Sequence, residues 1–93
     1  MKLNEIIFPN SYPTLDLHGY DRQTAVVEIN DFITDNIKMG NEIINIIHGK
    51  GSGIIKKTVH QTLKTNKNII DFKTDYFNDG CTLAQIKPKN EKQ

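Results

Sequence analysis

Residues 43 to 53 run Ile43-Ile44-Asn45-Ile46-Ile47-His48-Gly49-Lys50-Gly51-Ser52-Gly53. Four β-branched residues around a single Asn45 suit a strand covered on both faces, and the glycine cluster ends it. Beyond the glycines, Ile55, Val59 and Leu63 recur at intervals of four, the apolar stripe of a helix running to about Asn66. A strand that passes through glycines into a helix is the building unit of an α/β layered sheet.

The flanks extend the same alternation. Leu15-Asp16-Leu17-His18 alternates apolar and polar residues, the period of a half-buried strand, and Gly19 ends it. Asp21 can cap a helix whose apolar positions are Val26, Ile29, Ile33 and Ile37, with Gly40-Asn41 as its stop. Downstream, Ile69 to Phe77 reads as a third strand, Asn78-Asp79-Gly80 as a turn and Thr82 to Ile86 as a last strand. The expected order is β-α-β-α-β-β, a small α/β layered sheet with two right-handed parallel crossovers and a closing hairpin. Two helices leave open whether one sheet face is covered or both, and an uncovered face beside the glycine loop is a place for a ligand. Residues 1–14, with Pro9 and Pro13, form a turn-rich extension with a short strand expected at Ile6-Ile7-Phe8. The domain itself is expected over 15–87, and 88–93 form a polar tail.

Ninety-three residues allow one small domain, and a composition 37% hydrophobic and 25% charged is that of a globular protein. A lone Cys81 makes neither an intrachain disulfide nor a zinc cage by itself. No apolar run approaches the roughly 18 residues needed to span a bilayer, so no membrane segment and a cytoplasmic location are expected. The formal charge of +1, from 12 basic against 11 acidic residues, excludes a polycation or an acidic tail. That balance conceals a polarised chain. Asp16 to Glu42 holds six acids against Arg22 and Lys38, a net of −4, whereas Lys50 to Lys67 holds five lysines, His60 and no acid.

Two constellations carry chemistry. If Leu15 and Leu17 face the core, Asp16 and His18 project together from the other side, a carboxylate beside an imidazole that can exchange a proton near neutral pH. On spacing alone the structural alternative is favoured: Asp16 hydrogen-bonds the following turn and His18 is a satisfied, half-buried residue. The second constellation is the loop from His48 to Gly53. Glycines let backbone amides approach an anion, and the next helix adds unpaired N–H groups and its positive dipole end. Its spacing is neither a dinucleotide fingerprint nor a P-loop, and a tight turn needing positive φ explains the glycines equally well. Lys56 and Lys57 tip the balance, because a basic helix behind such a loop is the footprint of a nucleic-acid backbone. Phe72 and Tyr76 would share a strand face able to stack bases, although such positions are more often core.

Leu15-Asp16-Leu17-His18-Gly19, then Ile46-Ile47-His48-Gly49-Lys50-Gly51-Ser52-Gly53 entering a basic helix, then Gly80-Cys81-Thr82-Leu83 together resemble the Smr (small MutS-related) domain family over Leu15 to Ile86. The glycine-rich stretch that often precedes the family's last strand is reduced here to Asn78-Asp79-Gly80. The resemblance implies a fold like the C-terminal domain of a bacterial translation initiation factor. It also implies an endonuclease that nicks DNA or cleaves mRNA, in some members on ribosomes. It puts Asp16 and His18 in the expected catalytic position and His48, Gly49, Lys50, Gly51 and Gly53 in the loop thought to hold the nucleic-acid backbone.

The mechanism expected from these residues is phosphodiester cleavage. Lys50 and the amides near Gly51 and Gly53 hold the phosphate, with Ser52, Lys56 and Lys57 adjoining. His18, oriented by Asp16, acts as base or acid, and His48 takes the opposite proton role. The nucleophile is a 2′-hydroxyl on RNA or water on DNA. Arg22, at the first helix start, either reaches the substrate or pairs with an acid. No tightly bound cofactor or structural metal site is expected, because Asp16 is the one acid in the two motifs; a divalent cation can still enter with the substrate. The alternative is a non-catalytic module that docks on nucleic acid or the ribosome. His60, Cys81 and Tyr20 are read as structural.

Overall fold

The computed structural model describes residues 12–51, 53–75 and 78–87. Its elements follow the expected order: β1 (Thr14–Asp16), α1 (Arg22–Lys38), β2 (Ile43–Ile47), α2 (Ile54–Thr65), β3 (Ile69–Thr74) and β4 (Cys81–Ile86). The sheet order is β1-β2-β4-β3, with β1 parallel to β2 and β4 antiparallel to both β2 and β3. The closing hairpin therefore inserts β4 between β2 and β3. The sequence motifs at Ile6–Phe8, Ser52, Tyr76, Phe77 and the tail 88–93 lie outside the described residues. No described helix is long and apolar enough to cross a membrane.

Side-chain alternation sorts the sheet into two faces. Ile44 and Ile46 of β2 and Ala84 and Ile86 of β4 join Ala25, Ile29 and Ile33 of α1 and Val59 and Leu63 of α2 in one buried cluster. Both helices thus cover the same face. At about 1.5–3 kcal/mol for each large aliphatic side chain fully buried, this cluster is the main source of stability. On the opposite face, Ile43 and Leu83 are also buried, with Tyr12 packed against them. The open ligand face expected beside the loop is therefore occupied by apolar packing at its centre.

Local chemistry sets the helix ends. Asp21 accepts the Thr24 N–H at 2.8 Å as the α1 N-cap, and that bond holds its carboxyl below the usual carboxylate value. Gly40, at φ +79°, closes α1: the Gly40 N–H donates to Ile37 O and the Asn41 N–H to Asn36 O, a Schellman pair. The buried stripe of α1 is Ala25, Ile29, Ile33 and Asn36, with Val26 rotated to the rim at 36% exposure. Asn36 is tolerated there because its amide donates to Phe32 O and its oxygen accepts from Asn41.

The first strand is displaced from its expected span of Leu15 to His18. It starts at Thr14 and ends at Asp16; Leu17 still donates to Ile47 O at 2.9 Å, but His18 and Gly19 form a turn. Asp16 causes this by accepting the His18 backbone N–H at 2.9 Å, an Asx-type bond that competes with the ladder.

Candidate nucleic-acid interface

The C-terminal ends of β1 and β2 lie side by side, Asp16 opposite Ile47, so both sequence motifs reach the same end of the sheet. Asp16 and His48 project from different faces. Leu15 packs towards the helix-side core, which turns Asp16 to the other face, where its charge helps push the Cys81 thiol up after burial and Asp75. Asp16 and His18 do not form the expected carboxylate–imidazole pair: the carboxylate bonds the His18 backbone, and the exposed ring has no hydrogen-bond partner among the described residues. The structural role of Asp16 is thus realised, while the His18 ring stands free. Arg22 is exposed at the first position of α1 and pairs with no acid among the described residues.

The second motif is built from three elements. His48, half-buried after β2, has its Nδ1 at 3.0 Å from Gly49 O and its Nε2 at 2.7 Å from Thr82 Oγ1 on β4. The Nε2 of His60, on α2, lies 2.9 Å from the same hydroxyl, and the two rings meet edge to face at 6.0 Å. Since a carbonyl only accepts, His48 Nδ1 carries the proton, and the neutral ring accepts the Thr82 O–H at Nε2. Thr82 Oγ1 then accepts the N–H of His60 Nε2. This chain fixes both tautomers and leaves only His60 Nδ1 without a described partner. Burial pushes both imidazoles below their ordinary value of 6.5; the Gly49 bond partly offsets this in His48, while in His60 the neighbouring His48 and Lys56 add to it. The expected proton role for His48 meets a ring whose two nitrogens are both engaged.

The glycine loop divides similarly. The His48 and Gly49 amides both donate to Gly80 O, at 2.8 and 2.9 Å, so Gly49, at φ +83°, makes the turn and does not offer its amide to an anion. Gly80 is packed against this turn: a Cβ there would meet Gly49 C and Lys50 Cγ at 3.3 Å. The Gly51 and Gly53 amides, in contrast, make no bond to another described residue. Gly53 caps α2 at φ +88° with no side chain to satisfy the first turn, and no acid lies in that turn. The helix start therefore presents a positive dipole end with no acid against it. Lys50 lies 3.6 Å from Asp79 in an exposed pair of little net strength.

From this helix start a groove of about 610 Å³ runs between α2 and β3, lined by Gly53, Lys56, Lys57, His60, Lys64 and Phe72, with Gln61 between them. Lys56, His60 and Lys64 are spaced by four, so one helix face carries the row. That spacing is a sequence signal that places His60 with the lysines; Thr82 stands in the Gly80–Leu83 motif, but nothing in the local sequence assigns it a bond to either histidine. Among the described residues, no group of three or more His, Cys, Asp or Glu is placed to hold a metal ion.

A small four-stranded α/β domain with a basic, glycine-capped groove is the class these features define. The chain belongs to the Smr domain family, whose model matches residues 15–87. Over 76 residues it is 34% identical to the endonuclease MutS2 of Brevibacillus brevis and 36% identical to that of Staphylococcus carnosus. Each match covers 78% of this chain and 10% of the relative, so the chain spans about a tenth of the length of these curated proteins. The Smr domain of Thermus thermophilus MutS2 superposes with a TM-score of 0.79 at 22% identity, covering 82% of this chain and 99% of that one. YdaL, a stand-alone small MutS-related protein from Escherichia coli, superposes at 0.77 with 20% identity, covering 82% and 67%. These two structures share the fold.

Proposed function

We propose that this domain binds nucleic acid through the Gly51–Gly53 loop, Lys50 and the basic face of α2, and cleaves its phosphodiester bonds. The observation that carries the binding is the positive dipole end of α2 continuing into a row of Lys56, Lys57 and Lys64 with no acid among them. The likeness to proteins named endonuclease MutS2 supports the cleavage. The Gly51 and Gly53 amides and Lys50 stabilise charge gathering on the phosphate in the transition state. The free ring of His18 takes the proton from the attacking oxygen, a 2′-hydroxyl on RNA or water on DNA, as the new P–O bond forms. The departing oxygen takes a proton from solvent water as the old P–O bond breaks. Asp16 holds the turn that carries His18 and is the one carboxylate of the two motifs, so a participating divalent cation arrives with the substrate phosphates.

Cleavage of labelled RNA and DNA, with and without EDTA, by the parent and by His18→Ala tests this. Loss of cutting in the variant with retained binding is expected; undiminished cutting removes His18 from the chemistry. A second reading, a non-catalytic module docking on nucleic acid or the ribosome, is favoured by one observation: the Asp16 carboxylate bonds backbone and not the imidazole. Binding by the parent with no cleavage of any substrate would establish it.

A further inference from the structure

The groove between α2 and β3 holds more than phosphate binding requires. Its rim is cationic, Lys56, Lys57 and Lys64, but its wall includes the half-buried Phe72 ring, with the His60 ring 5.2 Å away and tilted by 48°. Phosphates alone need no aromatic wall, and an uncharged apolar ligand needs no three lysines. A ligand with a flat π face and flanking negative charges satisfies both. In a duplex, neighbouring base pairs cover both faces of each base, so only an unpaired strand offers a free face.

We propose that this groove takes an unpaired base of a single-stranded nucleic acid, stacked on Phe72, with Lys56, Lys57 and Lys64 on the adjoining phosphates. The inference rests on the nucleic-acid reading above and adds the form of the strand. Thr82 has a specific part in it. By accepting the His60 Nε2–H at 2.9 Å, it holds the second ring of the groove in one orientation and leaves Nδ1 as an acceptor. Every natural base carries an N–H donor on its pairing edge, so this acceptor can bond any of them when the strand is unpaired. The groove accordingly selects single strands with little choice of sequence.

The chain contains no Trp, so Phe72→Trp places a single indole reporter in the groove. Its emission is followed on titration with a mixed-sequence DNA decamer, an abasic strand of equal length, and the decamer annealed to its complement. Affinities of the parent and of Phe72→Leu for the same three are measured by anisotropy. The expected result is saturable quenching by the decamer and none by the abasic strand. Phe72→Leu should weaken decamer binding about tenfold, as for one lost base–aromatic stack, and leave the abasic affinity unchanged. Because Phe72 also packs against the core, the ring-retaining Trp variant keeps the test valid if the Leu variant unfolds. Equal binding of decamer and abasic strand, duplex binding as tight as single-strand binding, or an unquenched indole in the bound decamer complex overturns this inference while the broader nucleic-acid reading stands. Failure of all three ligands to bind overturns both.

Discussion

At the end of β1, Asp16 accepts the His18 backbone N–H two residues on, the His18 ring makes no bond to a described residue, and both lie exposed. At the end of β2, His48 is held by its neighbour Gly49 and by Thr82, 34 positions away, and Thr82 in turn holds His60, 22 positions away. The first arrangement is a local turn that any sheet edge can carry. The second exists only when β2, β4 and α2 are assembled, and it adjoins the groove where the lysines gather. A motif legible from spacing need not be the one the fold invests in.

The largest effect that would sharpen this contrast is electrostatic. Replacing Lys56, Lys57 and Lys64 together with Gln should lower the log–log salt slope of single-strand binding by about 2. At 0.1 M salt it should weaken affinity on the order of a hundredfold, measured by anisotropy. Neutralising Glu28, Asp31 and Asp35 of α1 as a control should leave the slope nearly unchanged. An equal effect in both sets would erase the distinction between the two helices.

Thr82→Val keeps shape but removes the hydroxyl that both histidines share, and should cost about 1–3 kcal/mol of unfolding free energy by denaturant titration. Gly49→Ala should cost about 1–2 kcal/mol through the left-handed backbone alone, since a Cβ there meets nothing within 4 Å. Because the Gly49 amide is already bonded to Gly80, the folded variant should bind strands like the parent. Asp16→Asn should change the melting temperature least of the set.

Acid should act on the second region. His48 and His60 have lowered values in the folded state, so between those values and the ordinary 6.5 the unfolded chain binds more protons. Their contribution is therefore complete above pH 6.5 and is lost as pH falls through the depressed folded-state values. A flat stability profile below 6.5, or one unaltered in His60→Gln, would contradict the burial that lowers the two rings.

The fold was legible where residues answer to local rules. The isoleucine run gave β2, Asp21 and Gly40 the limits of α1, and Ile55, Val59 and Leu63 the core-facing apolar stripe of α2, with Ile55 only partly buried. The end of β1 is not legible from alternation, which takes no account of a carboxylate that competes for the backbone amide two residues on. Spacing puts His60 on the lysine face, but beside Val59 it reads as an ordinary surface histidine, and its bond to Thr82 exists only once β4 is in place. Thr82 itself was hidden, since hairpin topology and not sequence distance sets it between β2 and β3. The loop glycines divide by a similar cause: Gly49 and Gly53 share positive φ, but Gly80 consumes the first amide and leaves the second open.

The most direct test is to titrate the isotopically labelled domain with a single-stranded DNA decamer and follow backbone and histidine resonances. Shifts concentrated at Gly51, Gly53, Lys56, Lys57, His60, Lys64 and Phe72, with Ile43, Leu83, Glu28 and Asp35 unmoved, are predicted. Shifts centred on α1 or on the Ile43–Leu83 face, with the α2 groove silent, would contradict the account.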